Sequence, residues 1–156
     1  MSEQEQQAPG EIRGVLIQLQ HGQLLLPNAA VAEVVDFRKP EPVEDAPEWL
    51  MGTTNWRQRN LAVVRLESLL GQQVTEGVRQ RIVVCHTLSD EARRPFVGIV
   101  ATAIPRLVRV NEELLEGVDT DQNLGDAPLH AQLMFDGQPA MIPDLSALER
   151  LLADVA

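Results

Sequence analysis

A chain of 156 residues, 44% hydrophobic and 23% charged with a net charge of −10, has the composition of one folded domain or of two small lobes sharing a core. The acidic balance excludes nucleic acid as a partner, because phosphate binding needs a net cationic face. No apolar run approaches the ~20 residues that span a bilayer, the start Met1-Ser2-Glu3-Gln4-Glu5 carries acid where a signal peptide needs base, and the single Cys85 permits no intramolecular disulfide, so the chain reads as cytoplasmic.

Residues 1–13 read as a loose polar tail and residues 14–156 as one domain made of two β-barrel lobes. Val15 to Gln20 alternates so that Ile17 and Leu19 face one way and Gln18 and Gln20 the other. His21-Gly22 supplies a turn, and Gln23 to Leu26 returns as the second arm of a hairpin. Val31 to Phe37 reads as a strand with Val31, Val35 and Phe37 buried. Val34 breaks that phase, which predicts a bulge or a short helical turn. Pro40, Pro42 and Pro47 exclude helix or central strand from Lys39 to Pro47. Trp49 to Trp56 is extended, Arg57 to Asn60 turns, Leu61 to Val64 is a strand, and Leu66 to Leu70 is a helical turn stopped by Gly71. Beyond a polar connector, Ile82 to Cys85 and Phe96 to Ala101 are buried strands flanking a charged loop, Leu88 to Arg94. Ile104 to Val110 follows, anchored by Ile104, by Leu107 or Val108, and by Val110, with Arg106 and Arg109 outward. Asn111 to Pro128 reads as a long acidic loop. Leu129–Met134 and Gln138–Ile142 form a hairpin around Asp136-Gly137, and Asp144 caps a helix that aligns Leu145, Leu148 and Leu152.

The chain also resembles itself. Leu61 to Leu70 and Pro139 to Leu148 are both a strand leaving a hairpin, then a polar residue and a leucine helix, which predicts two lobes built alike. Charge is uneven: residues 1–50 net −6, residues 51–110 net +5 and residues 111–156 net −9. The basic middle, which holds Arg57, Arg59 and Arg65, predicts a lobe surface facing an acidic partner; charges scattered over a solvated surface are the competing account.

No catalytic or metal constellation emerges. His21, His86 and His130 are far apart and lack metal-ligand spacing. Cys85 and His86 are neighbours on a strand and point to opposite faces, so Cys85 reads as a small buried hydrophobe. There is no phosphate loop or serine elbow, and Asp119 and Asp121 lack the glycine and distal glutamate of a calcium loop. No cofactor is implied. Trp49 and Trp56, seven apart on an extended segment, face opposite sides: one fills core while the other anchors a partner, or both fill core between the lobes. A small β-barrel enzyme or ligand-binding domain is the alternative class, and it would need converging ionisable groups that the sequence does not offer.

The segment Gly52, Asn55, Arg57, Val63 and Leu66 resembles the signature of CheW-like chemotaxis coupling proteins, roughly G-x-x-N-L-R-G-x-x-x-P-V-x-D-L. Val31-Ala32-Glu33-Val34 resembles that family's V-x-E-I, and Val97-Gly98-Ile99-Val100 its V-G-I-V-V-D strand. The likeness runs from about Gly14 to Leu152. It implies a mainly β fold of two five-stranded SH3-like barrels packed against each other, with short helices and a C-terminal helix. It implies a non-catalytic scaffold that links the cytoplasmic tips of chemoreceptors to the regulatory domain of a histidine kinase, at membrane-associated arrays. Other CheW-like proteins are further partners. By motif match Val31, Glu33, Asn55, Arg57, Val97 and Gly98 fall near partner contacts, and Trp56 and Arg59 adjoin them. The signature's second Gly is Gln58, its Pro is Ala62, its Asp is Arg65, and the Asp closing the V-G-I-V-V-D strand is Thr102. These departures suit a divergent accessory coupler, such as those of chemosensory systems controlling type IV pilus twitching. A chain of this length predicts no fused receiver domain.

Overall fold

The computed structural model describes residues 12–75, 79–87, 95–111, 115–116 and 128–155. Through them run β1 (Ile12–Gln18), β2 (Gln23–Pro27), β3 (Val31–Asp36), β4 (Leu50–Trp56), β5 (Arg59–Val64), α1 (Leu66–Leu69), β6 (Arg81–His86), β7 (Phe96–Ala101), β8 (Arg106–Val110), β9 (Leu115–Glu116), β10 (Leu129–Phe135), β11 (Gln138–Pro143) and α2 (Leu145–Val155). The strands form two sheets, in the orders β8-β1-β2-β11-β10-β9 and β3-β6-β7-β5-β4. The first is five full strands plus the two-residue β9 at its edge. Residues 31–101 thus make one lobe, inserted between β2 and β8 of a terminal lobe.

The two lobes share one wiring. In the inserted lobe the β4–β5 hairpin lies beside β7 through a parallel contact, Val63 with Gly98. In the terminal lobe the β10–β11 hairpin meets β2 the same way, Met141 with Leu24. Each hairpin carries a bulge in its first strand, between Leu50 and Gly52 and between Leu129 and Ala131. The expected internal likeness is therefore real, but the terminal lobe is circularly permuted. Its β8, β10 and β11 come late in the chain, and β1 and β2 come first.

Side-chain alternation places three apolar clusters. Val15, Ile17, Leu19, Leu24 and Leu26 of the terminal lobe meet Ala62, Val64, Val83, Cys85, Val97 and Ile99 of the inserted lobe in one shared core. The opposite face of the inserted sheet fills its own barrel with Trp56, Leu61, Val63, Ile82, Val84 and Val100. Leu16, Leu25, Leu133, Phe135 and Ala140 do the same in the terminal lobe. Strands buried on both faces read as unbroken apolar runs, which is why Val15 to Ile17 and Ile82 to Cys85 lack a polar alternate. Leu66 of α1 and Leu145, Leu148 and Leu152 of α2 plug the shared core, each worth about 1.5–3 kcal/mol of transfer free energy. Asp144 Oδ1 accepts the Ala147 N–H at 3.0 Å, which is the expected N-cap of α2.

Polar groups also tie the lobes together. The Thr102 N–H donates to Gln18 O at 2.9 Å. The Gln20 N–H donates to Glu67 Oε2 at 3.1 Å, and His21 Nε2 lies 2.8 Å from Gln73 O.

Several expectations shift. The ladder starts at Ile12, two residues into the expected tail, because Ile12 and Arg13 pair with Val110 and Arg109. Val34 is exposed, and both devices expected of it occur: a 3-10 turn at Asn28–Ala30 and a bulge between Val31 and Glu33. Val31, Val35 and Phe37 are half-buried, Val31 against the shared core and the other two against the inserted barrel. The turn after β4 is only Arg57-Gln58, since Arg59 and Asn60 already pair with Trp56 and Asn55. Ile104 is no anchor: it lies before β8 and is 65% exposed. Leu107 is 74% exposed, whereas Val108 and Val110 pack on the terminal barrel, so the inward phase is the even one. Leu115–Glu116 is strand rather than loop. Residues 1–11, the loop at 88–94, and Asp119 and Asp121 lie outside the described residues.

Candidate protein-binding surface

The residues singled out from the sequence divide into two groups. Glu33, Trp56, Arg57 and Arg59 converge at the end of the inserted lobe where β4 turns into β5. Trp56 is 7% exposed, its ring packed in the inserted barrel, and its indole N–H donates to Glu33 Oε2 at 2.5 Å. The same carboxylate oxygen lies 3.5 Å from Arg57 Nε, and the Arg57 guanidinium sits 4.8 Å from the centre of the Trp56 ring. One carboxylate thus orients an indole and a guanidinium at once, and the ring face holds the cation over it. Arg57 remains largely exposed, so the pair contributes orientation more than stability, about 0–1 kcal/mol. Arg59 repeats the arrangement, its guanidinium 5.3 Å from the centre of the Phe96 ring. Phe96 in turn meets Trp56 edge-on at 4.8 Å and His86 at 5.0 Å.

The remaining residues lie elsewhere. Asn55 is exposed on β4, one position before this cluster. Val31 is half-buried against the shared core. Val97 has no exposed surface and belongs to the shared core. A Cβ on Gly98 would sit 2.8 Å from Ile82 Cγ2 and 3.2 Å from Leu61 Cδ2, so this glycine allows close packing inside the barrel. Neither Val97 nor Gly98 presents a side chain to a partner. Trp49 packs on the shared core and Trp56 in the inserted barrel, opposite faces as expected, although Trp49 lies before β4 and the bulge between Leu50 and Gly52 breaks the regular alternation on which that expectation rested.

Phe96 and His86 are not among the contact residues expected from the motifs; the β6–β7 register that sets them opposite each other brings them to the cluster. Arg65, expected on the surface with Arg57 and Arg59, is 8% exposed at the entrance to α1. Cys85 is fully buried in the shared core, and desolvation pushes its thiol up to about 12.

The turn itself departs from common chemistry. Arg57 and Gln58 have φ of 48° and 63°, the left-handed pair that a two-residue hairpin turn demands and that Asn-Gly or Asp-Gly meets cheaply. The matching turn of the terminal lobe uses Asp136 and Gly137, at 49° and 78°. Arg57 is therefore held outward by a backbone that costs free energy to form.

A double β-barrel with a shared core and an oriented, exposed cation–carboxylate–aromatic cluster has the form of an interaction module. The sequence matches the CheW-like domain family over residues 13–152, and the chain belongs to that family. It is similar in fold to the scaffolding protein TtCheW of Thermoanaerobacter tengcongensis, with a TM-score of 0.69 and 19% identity over 85% of this chain and 88% of that one. No curated protein sequence matches it. Family and fold together support a scaffold role in chemosensory signalling. Among the described residues no helix is long and apolar enough to cross a membrane.

Proposed function

We propose that the protein is a non-catalytic coupler joining chemoreceptor tips to the regulatory domain of a histidine kinase, on the cytoplasmic side of receptor arrays. The observation that carries this reading is the Glu33–Trp56–Arg57 cluster. A surface guanidinium is fixed by a carboxylate and an aromatic face on a strained turn, in a domain of the CheW-like family. Such a device sets orientation and partner choice rather than bulk affinity. Val31 at the rim of the shared core suits a helical hairpin laid between the lobes. Asn55, Trp56, Arg57 and Arg59 suit a second protein at the inserted lobe. The departures at Gln58, Ala62, Arg65 and Thr102 favour an accessory coupler, with twitching motility as its output.

The test is capture of a purified kinase regulatory domain and of a receptor-tip peptide by the full chain, beside motility of a strain carrying Arg57→Glu. Saturable capture of the kinase domain that Arg57→Glu weakens is the expected result. If the wild-type chain captures neither partner and Arg57→Glu leaves motility unchanged, the coupling reading falls.

A further inference from the structure

The inserted barrel is not closed along its whole seam. Its five-stranded sheet has two free edges, β3 and β4. The connection that leaves β3 crosses onto β4, where Glu41 exchanges backbone hydrogen bonds with Thr53 at 2.8 and 2.9 Å, and the Glu33 carboxylate of β3 accepts the Trp56 indole N–H of β4 across the gap. Gly52 makes that crossing possible, since at its φ of 141° a Cβ would lie 2.2 Å from Glu41 O. Beyond the bridge the edges part around a cleft of about 290 Å³. Val35 and Asp36 line it from β3, Thr54 and Asn55 from β4, and Leu61 and Ile82 form its apolar floor. Arg38 and Arg57 stand at its polar rim.

The cleft's size is at the bottom of the range for small-molecule sites, which suits one inserted side chain better than a whole ligand. Its floor is barrel interior, so it accepts an apolar group. Its rim is cationic within a chain of net charge −10. Arg38 and Arg57 line the cleft, Arg81 pairs with the lining Asp36, and Glu33 is engaged by Trp56 and Arg57, which leaves these three guanidiniums against two carboxylates. An acidic segment would be repelled over most of this protein and drawn to this edge.

We propose that the open seam between β3 and β4 is an anchor site that takes one apolar side chain from an acidic segment of a partner protein, with the flanking carboxylates on Arg57 and Arg38. The proposal rests on the scaffold reading of the inserted lobe and adds the chemistry of what docks there. Trp56 lies in the cleft wall and Trp49 does not, so a Trp49→Phe background makes Trp56 the only tryptophan and hence the reporter.

The experiment titrates that full-length variant with three acetylated synthetic heptapeptides: one phenylalanine flanked by three acidic residues on each side, the same peptide with serine for phenylalanine, and the same with lysines for the acids. The first is expected to change Trp56 emission saturably. The serine and lysine peptides should bind at least about tenfold more weakly, and raising salt well above the physiological range should weaken the first. Thr54→Phe, which fills the mouth, should abolish the response. Arg38→Glu, at an exposed site where folding is not at stake, should weaken it at least about tenfold. No saturable change, or equal binding of the serine or lysine peptide, overturns the proposal. If the peptides fail while the kinase domain is still captured and Thr54→Phe leaves that capture intact, the anchor site is refuted and the coupling reading survives. If the peptide binds as expected while neither kinase domain nor receptor tip is captured, the anchor site stands and the coupling reading falls.

Discussion

The two hairpin tips of this fold are an internal experiment on backbone strain. Both are two-residue turns with positive φ at both positions, yet one is Arg57-Gln58 and the other Asp136-Gly137. A left-handed conformation costs a residue with a Cβ about 1–2 kcal/mol, and glycine almost nothing. Glycine instead gains unfolded-state entropy, which offsets about 0.5–1 kcal/mol of that advantage. Gln58→Gly should therefore stabilise the protein by about 0.5–1 kcal/mol, and Gly137→Gln should destabilise it by a similar amount. For a chain of this size that is a shift in Tm of about 2–4 °C per kcal/mol, upward for the first and downward for the second. Gln58 is exposed, and a Cβ on Gly137 would meet nothing within 4 Å, so neither change carries a packing term of its own. Urea unfolding followed by tryptophan emission, with the double exchange as a closing control, measures both. Should Gln58→Gly prove destabilising while Gly137→Gln also destabilises, Gln58 makes a compensating interaction and the strain argument fails. If neither variant moves the midpoint, no strain is stored at these turns.

Two further outcomes concern the shared core. The Cys85 thiol is raised from 9.0 to about 12 by burial, so the folded protein holds a proton that the unfolded chain releases first. Stability is then intact below pH 9 and falls as pH rises toward 12, by about 1.4 kcal/mol per pH unit. The sequence has no Tyr and a single lysine, Lys39, to blur that slope. Urea midpoints across this range should flatten in Cys85→Ala, and an unchanged slope would mean that another group titrates. Gly98→Ala should destabilise by about 1–3 kcal/mol through overpacking against Ile82 and Leu61, read as a lower urea midpoint. A loss of partner binding by that variant with full stability would instead make Gly98 a contact residue.

The fold was legible in the sequence where local pattern decides it. Asp136-Gly137 announced a hairpin, Asp144 a helix cap, and the matching β5–α1 and β11–α2 segments announced two like lobes. The chain's order hid the permutation, because nothing in residues 12–27 says that their partners lie at 106–110 and 138–143. Phase failed where burial is partial: an isolated Ile104 or Leu107 looks like an anchor until β8 proves to be a sheet edge. The candidate binding cluster was half legible. Glu33 and Arg57 came from motif positions, but the ring that holds Arg59 comes from Phe96, through strand registers no short motif records.

The same duplication limits what the two tips can do. Each position of the β4–β5 hairpin recurs 79 residues later, so Trp56 corresponds to Phe135, Arg57 to Asp136, Gln58 to Gly137 and Arg59 to Gln138. The aromatic that anchors each tip in its barrel is retained, which is a requirement of packing. The outward residues are not: the inserted lobe shows two guanidiniums where the terminal lobe shows a carboxylate and an amide. On the scaffold reading, a partner that reads charge at one tip would therefore be discriminated against at the other by charge rather than by shape. The strained turn fits this division. The terminal lobe uses the inexpensive Asp-Gly pair at an acidic tip, whereas the inserted lobe forgoes glycine and keeps two long polar side chains in left-handed backbone. The scaffold reading accounts for that expense, because at this tip the outward Arg57 is also held by a carboxylate and a ring.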